Sequence, residues 1–262
     1  MIAPWVSDAL IVVLGLLVGS FLDVVVYRVP RKESIVSPGS RCPSCTVAIK
    51  GRHNVPVLSW LVLRGRCHAC QAPISVRYPL VEAGTGLLFA ALAAHFGLSP
   101  QLPAYLYLGA VGIALALIDF DVRRLPDSIV MPSYVVGVLL LMPAGAENLD
   151  RGGIDRAFAG MVALLALYFA LALAYPNGLG FGDVKLAGLI GFYLGWLSWN
   201  ALFLTAVGGL LIAAAGGTYA IATGRGTRNL AVPLGPCLVA AAVLSLFLAA
   251  PLSAWYGSLI AT

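Results

Sequence analysis

Two aspartates beside apolar runs have the residue type and placement for acid–base chemistry. Asp119 follows the run Ala-Leu-Ala-Leu-Ile, and Asp183 precedes another apolar run, in Gly180-Phe181-Gly182-Asp183. An ionised carboxylate can take a proton from water while a neighbouring protonated carboxyl polarises an amide carbonyl, so such a pair can hydrolyse an amide without a metal. The two glycines would let a peptide backbone approach closely. A role for Asp183 as a helix N-cap is the simpler alternative.

Four of the five cysteines form two knuckles of metal-ligand spacing. These are Cys42-Pro-Ser-Cys45 and Cys67-His-Ala-Cys70. Two Cys-x2-Cys pairs supply four thiolates that can close tetrahedrally on Zn²⁺, and a closed four-sulfur site is structural because no position is left for substrate. The alternative is a pair of disulfides, which a reducing compartment disfavours. We assign the fifth cysteine, Cys237, to helix packing.

The elements that position these residues are membrane helices. Of the 262 residues, 60% are hydrophobic and only 10% are charged, and the mean hydropathy is +0.94. This excludes a soluble globule, which needs about 25% charged residues, and a disordered chain. We therefore predict an all-α polytopic membrane protein with about eight transmembrane helices. The apolar runs cover about 6–27, 79–97, 103–120, 128–144, 156–175, 184–199, 200–222 and 232–256.

The segment 28–78 is polar and basic, and it predicts the orientation of the chain. It holds nine Lys and Arg residues and a single acid, Glu33. Because Lys and Arg accumulate in cytoplasmic loops, we expect this segment, both aspartates and the loop with Arg225 and Arg228 on the cytoplasmic side. Three parts follow: a first helix (1–27), a cytoplasmic zinc-binding segment (28–78) between helices 1 and 2, and a transmembrane core (79–262). Sparse aromatics favour lipid headgroups over nucleic acid as the basic segment's neighbours.

Further motifs carry a resemblance to a known family. The chain resembles the bacterial type IV prepilin leader peptidases, which are bifunctional aspartyl membrane enzymes with a GxGD motif. The residues that match are Gly19-Ser-Phe-Leu-Asp-Val-Val-Val-Tyr-Arg-Val-Pro30, the two knuckles, Asn54-Val-Pro-Val-Leu-Ser-Trp-Leu61, Arg64-Gly-Arg-Cys67, Arg77-Tyr-Pro-Leu-Val-Glu82, Asp119 to Asp127, Gly180-Phe-Gly-Asp-Val-Lys-Leu186 and Pro233-Leu-Gly-Pro236.

The resemblance implies an activity. Such enzymes cut the basic leader from type IV prepilins or type II secretion pseudopilins after a glycine, at the cytoplasmic face of the bacterial inner membrane. The family's catalytic aspartates correspond to Asp119 and Asp183. The family then methylates the new N-terminal amine with S-adenosylmethionine. The alternative function is an ion- or proton-coupled transporter that uses the same carboxylates, since intramembrane acids also mark ion pathways.

Other residues are candidates for substrate or cofactor contacts. Glu82, where the segment re-enters the membrane, is the candidate for contact with the amine or the methyl donor, although a helix N-terminus favours an acid there in any case. Gly180, Gly182 and Lys185 are candidates beside the second aspartate. One position departs from the family pattern. Residue 23 is Asp where Asn is expected, so its added charge bears on the methyl-transfer half.

Overall fold

The computed structural model describes residues 4–148, 151–175, 179–224 and 233–260. The regular secondary structure of these residues is helical, apart from two isolated β-bridges. Arg225 and Arg228, which entered the orientation argument, lie outside the described residues. Two single 3-10 turns follow the first helix, at Val29–Arg31 and Gly51–His53. The helices are α1 (Pro4–Arg28), α2 (Leu58–Val62), α3 (Arg77–Phe96), α4 (Leu102–Val122), α5 (Asp127–Asn148), α6 (Arg151–Ala174), α7 (Phe181–Leu197), α8 (Trp199–Ala222) and α9 (Leu234–Ile260).

The predicted all-α membrane architecture is confirmed. Within the described residues, six helices are long and apolar enough to cross a membrane, namely α1, α3, α4, α6, α8 and α9. The other two predicted runs also form helices. The apolar part of α5 is shorter, ending at Pro143, and α7 has 17 residues, most of them buried against protein. A full crossing by these two helices stays a prediction.

The boundary between the sixth and seventh apolar runs is a single extended residue. Ser198 has φ −170° and ψ 160°, which ends α7, and its side-chain oxygen accepts a hydrogen bond from the N–H of Ala201 at 3.0 Å. This side chain satisfies one of the N–H groups that the first turn of α8 leaves unpaired. The sequence placed this boundary near Asn200, two residues later.

The chain divides into two compact units, Met1–Leu102 and Pro103–Thr262. In the first unit, α1 and α3 pack closely and antiparallel through glycines. A methyl group on Gly15 would lie 2.8 Å from the Cα of Gly86, and one on Gly19 would lie 2.7 Å from the Cα of Glu82. Small residues allow this approach of two helix backbones. The end of α1 and the start of α3 therefore lie at the same end of the pair, joined by the residues between them.

In the second unit, α7 is the central helix. It meets α6 through glycines, because a methyl group on Gly191 would overlap the carbonyl oxygen of Gly160. It also meets α4, where the hydroxyl of Tyr105 donates to the carbonyl oxygen of Tyr193 at 3.4 Å. Tyr105 lies near the start of α4 and Tyr193 near the end of α7, so the two helices run antiparallel. The end of α4 and the start of α7 consequently lie at the same end of this unit.

Candidate active site

Asp119 lies in the last turn of α4 and is buried. Only 6% of its surface is exposed, although the next residues, Phe120 and Asp121, are exposed. A carboxyl group in this position is costly to bury without a partner. Arg123, one turn later, interacts electrostatically with it.

Asp183 lies in the first turn of α7, and its two carboxylate oxygens differ in their contacts. Oδ2 accepts a hydrogen bond from the N–H of Gly180, the N-cap residue, at 3.2 Å. Oδ1 is buried and has no hydrogen-bond partner among the described residues. Capping of the helix therefore accounts for one oxygen of Asp183 and leaves the other unexplained.

The two aspartates meet beside the first turn of α9. A methyl group built on Gly235 would lie 2.9 Å from Oδ2 of Asp119 and 3.5 Å from Oδ1 of Asp183. The carboxyl charges interact with each other, and the backbone N–H of Gly235 interacts with both groups. Two acids this close cannot both ionise easily, so they can hold one proton between them. The arrangement has the parts needed for acid–base hydrolysis of an amide.

Residues of α9 complete this site, and the sequence indicated them only weakly. Gly235 is buried, and Cys237 lies near enough to both carboxyl groups to interact electrostatically with them. The Cys237 thiol also donates to the carbonyl oxygen of Pro233 at 3.5 Å. The sequence signal for these residues was the motif Pro233-Leu-Gly-Pro236 before an apolar run. This motif predicts where the helix starts, but it does not predict which residues the helix start contacts.

The structure places Lys185 and Gly182 in contact with the chain that follows Asp119. The Nζ atom of Lys185 is 2.8 Å from each carboxylate oxygen of Asp127, at the start of α5. A methyl group on Gly182 would lie 3.0 Å from the Cβ of Leu125. Gly180, by contrast, is exposed.

Glu82 lies in the first unit, where it binds backbone. Its Oε2 atom accepts a hydrogen bond from the N–H of Val57 at 2.7 Å, and 9% of the residue is exposed. Val57 has φ +59°, a value that is costly for a β-branched residue. Asp23 lies beside Glu82 and Arg77, and its Oδ2 atom is buried with no hydrogen-bond partner in the described part of the chain.

The four knuckle cysteines converge in the first unit and could bind a metal ion. Their sulfur atoms all lie within 4.8 Å of one another, and the sulfurs of Cys42 and Cys70 are 3.8 Å apart. Ligands on a tetrahedral Zn²⁺ at about 2.3 Å lie roughly 3.8 Å from each other. The cysteines of the described residues are free thiols. The donor set therefore fits zinc, and no disulfide joins these four cysteines.

The backbone gives both knuckles the same shape. The N–H of Cys42 donates to Val47 and that of Cys67 donates to Ala72, at 3.0 and 2.9 Å. Backbone N–H groups of Cys45 and then Ser44 donate to the Cys42 sulfur and lower the pKa of that thiol to about 6. A lowered thiol pKa favours the thiolate, which is the form that binds a metal.

Comparisons with known proteins identify the family of both units. The profile described as Bacterial Peptidase A24 N-terminal domain matches residues 13–96, and that described as Type IV leader peptidase family matches residues 106–221. No solved structure matches significantly.

Relatives named prepilin leader peptidase/N-methyltransferase match most of the chain. The protein of Stutzerimonas stutzeri is 36% identical over 93% of this chain and 91% of its own length. The protein of Aeromonas hydrophila is 35% identical over 97% of this chain and 94% of its own length. The protein of Myxococcus xanthus (strain DK1622) is 41% identical over 81% of this chain and 63% of its own length. The resemblance found in the motifs is thus confirmed, and the chain belongs to the type IV leader peptidase family.

Proposed function

We propose that this chain cleaves the leader from type IV prepilins or pseudopilins and then N-methylates the new N-terminus. The observation that carries the first half is the convergence of Asp119 and Asp183 beside Gly235. Both halves are supported by relatives that bear the name prepilin leader peptidase/N-methyltransferase. The comparisons give the transporter alternative no support, and the two acids lie in the terminal turns of their helices rather than at mid-helix.

In the proposed cleavage, the dyad acts as one acid and one base. The ionised carboxylate takes a proton from water, and the water oxygen forms a bond to the carbonyl carbon of the scissile peptide. The protonated carboxyl donates to the carbonyl oxygen, where negative charge develops. The carbon–nitrogen bond then breaks as the amine takes up the proton that came from water, and the former carbonyl oxygen returns its proton to the carboxylate that donated it. The products are a carboxylic acid and a free amine, and the dyad returns to its shared-proton state.

The dyad's place in the membrane suits a pilin substrate. Both acids lie where helices end, and Asp119 is followed by the exposed residues 121–124, which include Arg123. We place this end at the cytoplasmic face of the bacterial inner membrane, because the basic residues accumulate on that side of the predicted topology. A pilin's apolar segment would remain in the bilayer while its basic leader stays with the anionic headgroups. A glycine at the cleavage site weakens the local helix and favours the extended peptide that hydrolysis requires.

The four cysteines would hold a structural Zn²⁺ in the proposed enzyme. Their thiolates supply four ligands, so no coordination position is left for substrate. A segment with few large apolar side chains gains its fold from such an ion. Its role would be to fix the two knuckles and the chain that leads from them to Glu82.

The methyl donor in the proposed second reaction is S-adenosylmethionine, which supplies the methyl group when bound. Acidic side chains suit its sulfonium or the substrate amine. Glu82 and Asp23 interact electrostatically, and the buried Oδ2 of Asp23 has no partner within the described residues. These two carboxyl groups would orient the cationic reactants near the shared end of α1 and α3.

The test is mass spectrometry of a prepilin after incubation with the purified enzyme and the methyl donor. Leader loss reports cleavage, and an added methyl mass on the new N-terminus reports transfer. We expect Asp119→Asn and Asp183→Asn each to abolish leader loss, while both still methylate a pilin that was cleaved beforehand. Asp121→Asn is the matched control, since it makes the same change at an exposed position two residues away. Leader removal by either dyad variant at the wild-type rate would remove that residue from the mechanism.

A further inference from the structure

A backbone position on α9 lies against both members of the aspartate pair. The nearest atoms to a methyl group on Gly235 would be Oδ2 and Cγ of Asp119, at 2.9 and 3.3 Å, followed by Oδ1 of Asp183 at 3.5 Å. A separation below 3.0 Å is one that real Cβ atoms essentially never show. The space that a side chain would occupy at residue 235 is therefore the space next to the two carboxyl groups.

Other buried glycines of this unit have a different environment. A methyl group on Gly112 would meet the side chain of Val239, and one on Gly191 would meet the backbone of Gly160. Those glycines allow helices to pack. At Gly235 the neighbouring atoms belong to the proposed catalytic carboxyl groups, so helix packing does not explain the absence of a side chain there.

The N–H of Gly235 is available because of its place in the helix. It belongs to the first turn of α9, whose N–H groups have no acceptor within the helix and carry partial positive charge. Pro236, the next residue, has no N–H to offer. The N–H of Gly235 interacts electrostatically with the carboxyl groups of Asp119 and Asp183, both of which have an oxygen against this residue. The buried Oδ1 of Asp183 has no hydrogen-bond partner among the described residues, and it lies 3.5 Å from the position that a methyl group on Gly235 would take.

We propose that Gly235 is a positioning residue of the dyad: its backbone N–H orients both carboxyl groups, and its missing side chain lets them approach each other. The proposal rests on the proposed peptidase function. Gly235 touches neither water nor substrate in this account. It acts on cleavage through Asp119 and Asp183.

The first variant is Gly235→Ala, which adds one methyl group beside the pair. The Asp119 carboxyl must then shift from its place beside Asp183. A displacement of about 1 Å in a catalytic group costs roughly 100-fold in rate. We expect kcat for leader cleavage to fall by about that factor, with KM for the prepilin unchanged. Methyl transfer to a pilin cleaved beforehand should proceed at the wild-type rate, because the proposed methyl-transfer residues lie in the other unit.

The second variant removes the hydrogen-bond donor without adding volume. Replacing Gly235 by glycolic acid in cell-free synthesis changes the backbone amide to an ester, so the N–H is lost. We expect kcat for cleavage to fall roughly 10-fold, as for loss of one hydrogen bond to a charged group, again with KM unchanged.

Gly84→Ala is the matched control for Gly235→Ala. It also adds a methyl group to a helical glycine, but that methyl group would meet nothing within 4 Å.

The outcomes separate this proposal from the proposed function. If Asp119→Asn and Asp183→Asn still cleave, the peptidase mechanism fails, and the role of Gly235 fails with it. If those variants are inactive but Gly235→Ala keeps the wild-type kcat, only the role of Gly235 is overturned. If Gly235→Ala loses cleavage and methyl transfer together, the ester variant decides. A wild-type kcat in the ester variant overturns the proposal, and a selective fall supports it.

Discussion

Lys185 and Asp127 join α7 to α5 by an ion pair in which the lysine Nζ atom is 2.8 Å from both carboxylate oxygens. Lys185 follows Asp183 by two residues, and Asp127 begins the helix after the Asp119 helix. The pair therefore ties the chain that leaves one proposed catalytic aspartate to the turn that holds the other. An ion pair with one member this exposed contributes little stability, so its effect would be mainly on position.

Reversing this ion pair separates a positional role of Lys185 from a binding role. We expect Lys185→Met to change the free energy of unfolding by less than about 1 kcal/mol. The kcat for cleavage should fall by roughly 10-fold, because the ion pair no longer fixes the position of Asp183 relative to Asp119. The double variant Lys185→Asp with Asp127→Lys should recover most of that rate. A raised KM that the double variant does not restore would instead place Lys185 in contact with substrate.

The metal content of the purified protein tests the cysteine cluster. We expect about one zinc ion per chain, since four thiolates close on a single ion. Cys67→Ser should lower the content to near zero and lower the thermal midpoint of the first unit. Cys237→Ser is the matched control, because its thiol is near the aspartates and outside the cluster. Metal-free wild-type protein with four titratable knuckle thiols would contradict the assignment.

Two substitutions at Glu82 distinguish its hydrogen bond from its charge. Glu82→Gln keeps an oxygen that can accept from the Val57 N–H, whereas Glu82→Leu keeps neither acceptor nor charge. We expect hydrogen exchange at Val57 to remain slow in the Gln variant and to accelerate in the Leu variant. Methyl transfer should fall in both variants if the carboxylate orients a cation. Wild-type methyl transfer by the Gln variant would limit Glu82 to its contact with the backbone.

Helix ends could be predicted from the sequence, but their side-chain partners could not. Apolar runs bounded by charges predict helices, so the ends of α4 and α7 and the presence of an acid at each were available from composition. Antiparallel packing then brings Asp119 and Asp183 to the same end of their unit. The pairing of the two acids could therefore be predicted from the helix ends alone.

Contacts made by backbone atoms gave no sequence signal. Gly235 is one of 29 glycines, and nothing in the sequence distinguishes it as the glycine that lies against two carboxyl groups. The hydrogen bond from Val57 to Glu82 likewise depends on a left-handed backbone at a valine, which local preferences oppose. Such features arise from tertiary packing, so the sequence indicated Glu82 by motif and could not say what it binds.

Residual cleavage rates of the two single Asp→Asn variants and of the double variant test the central claim most directly. If Asp119 and Asp183 share one proton and act as a unit, each single variant should lose roughly 1,000-fold or more, and the double variant should lose no more than either single one. Quantitative mass spectrometry of leader release measures these rates, and we expect the three residual rates to be equal. A single variant with near wild-type rate, or a double variant whose loss is the product of the two single losses, would contradict it.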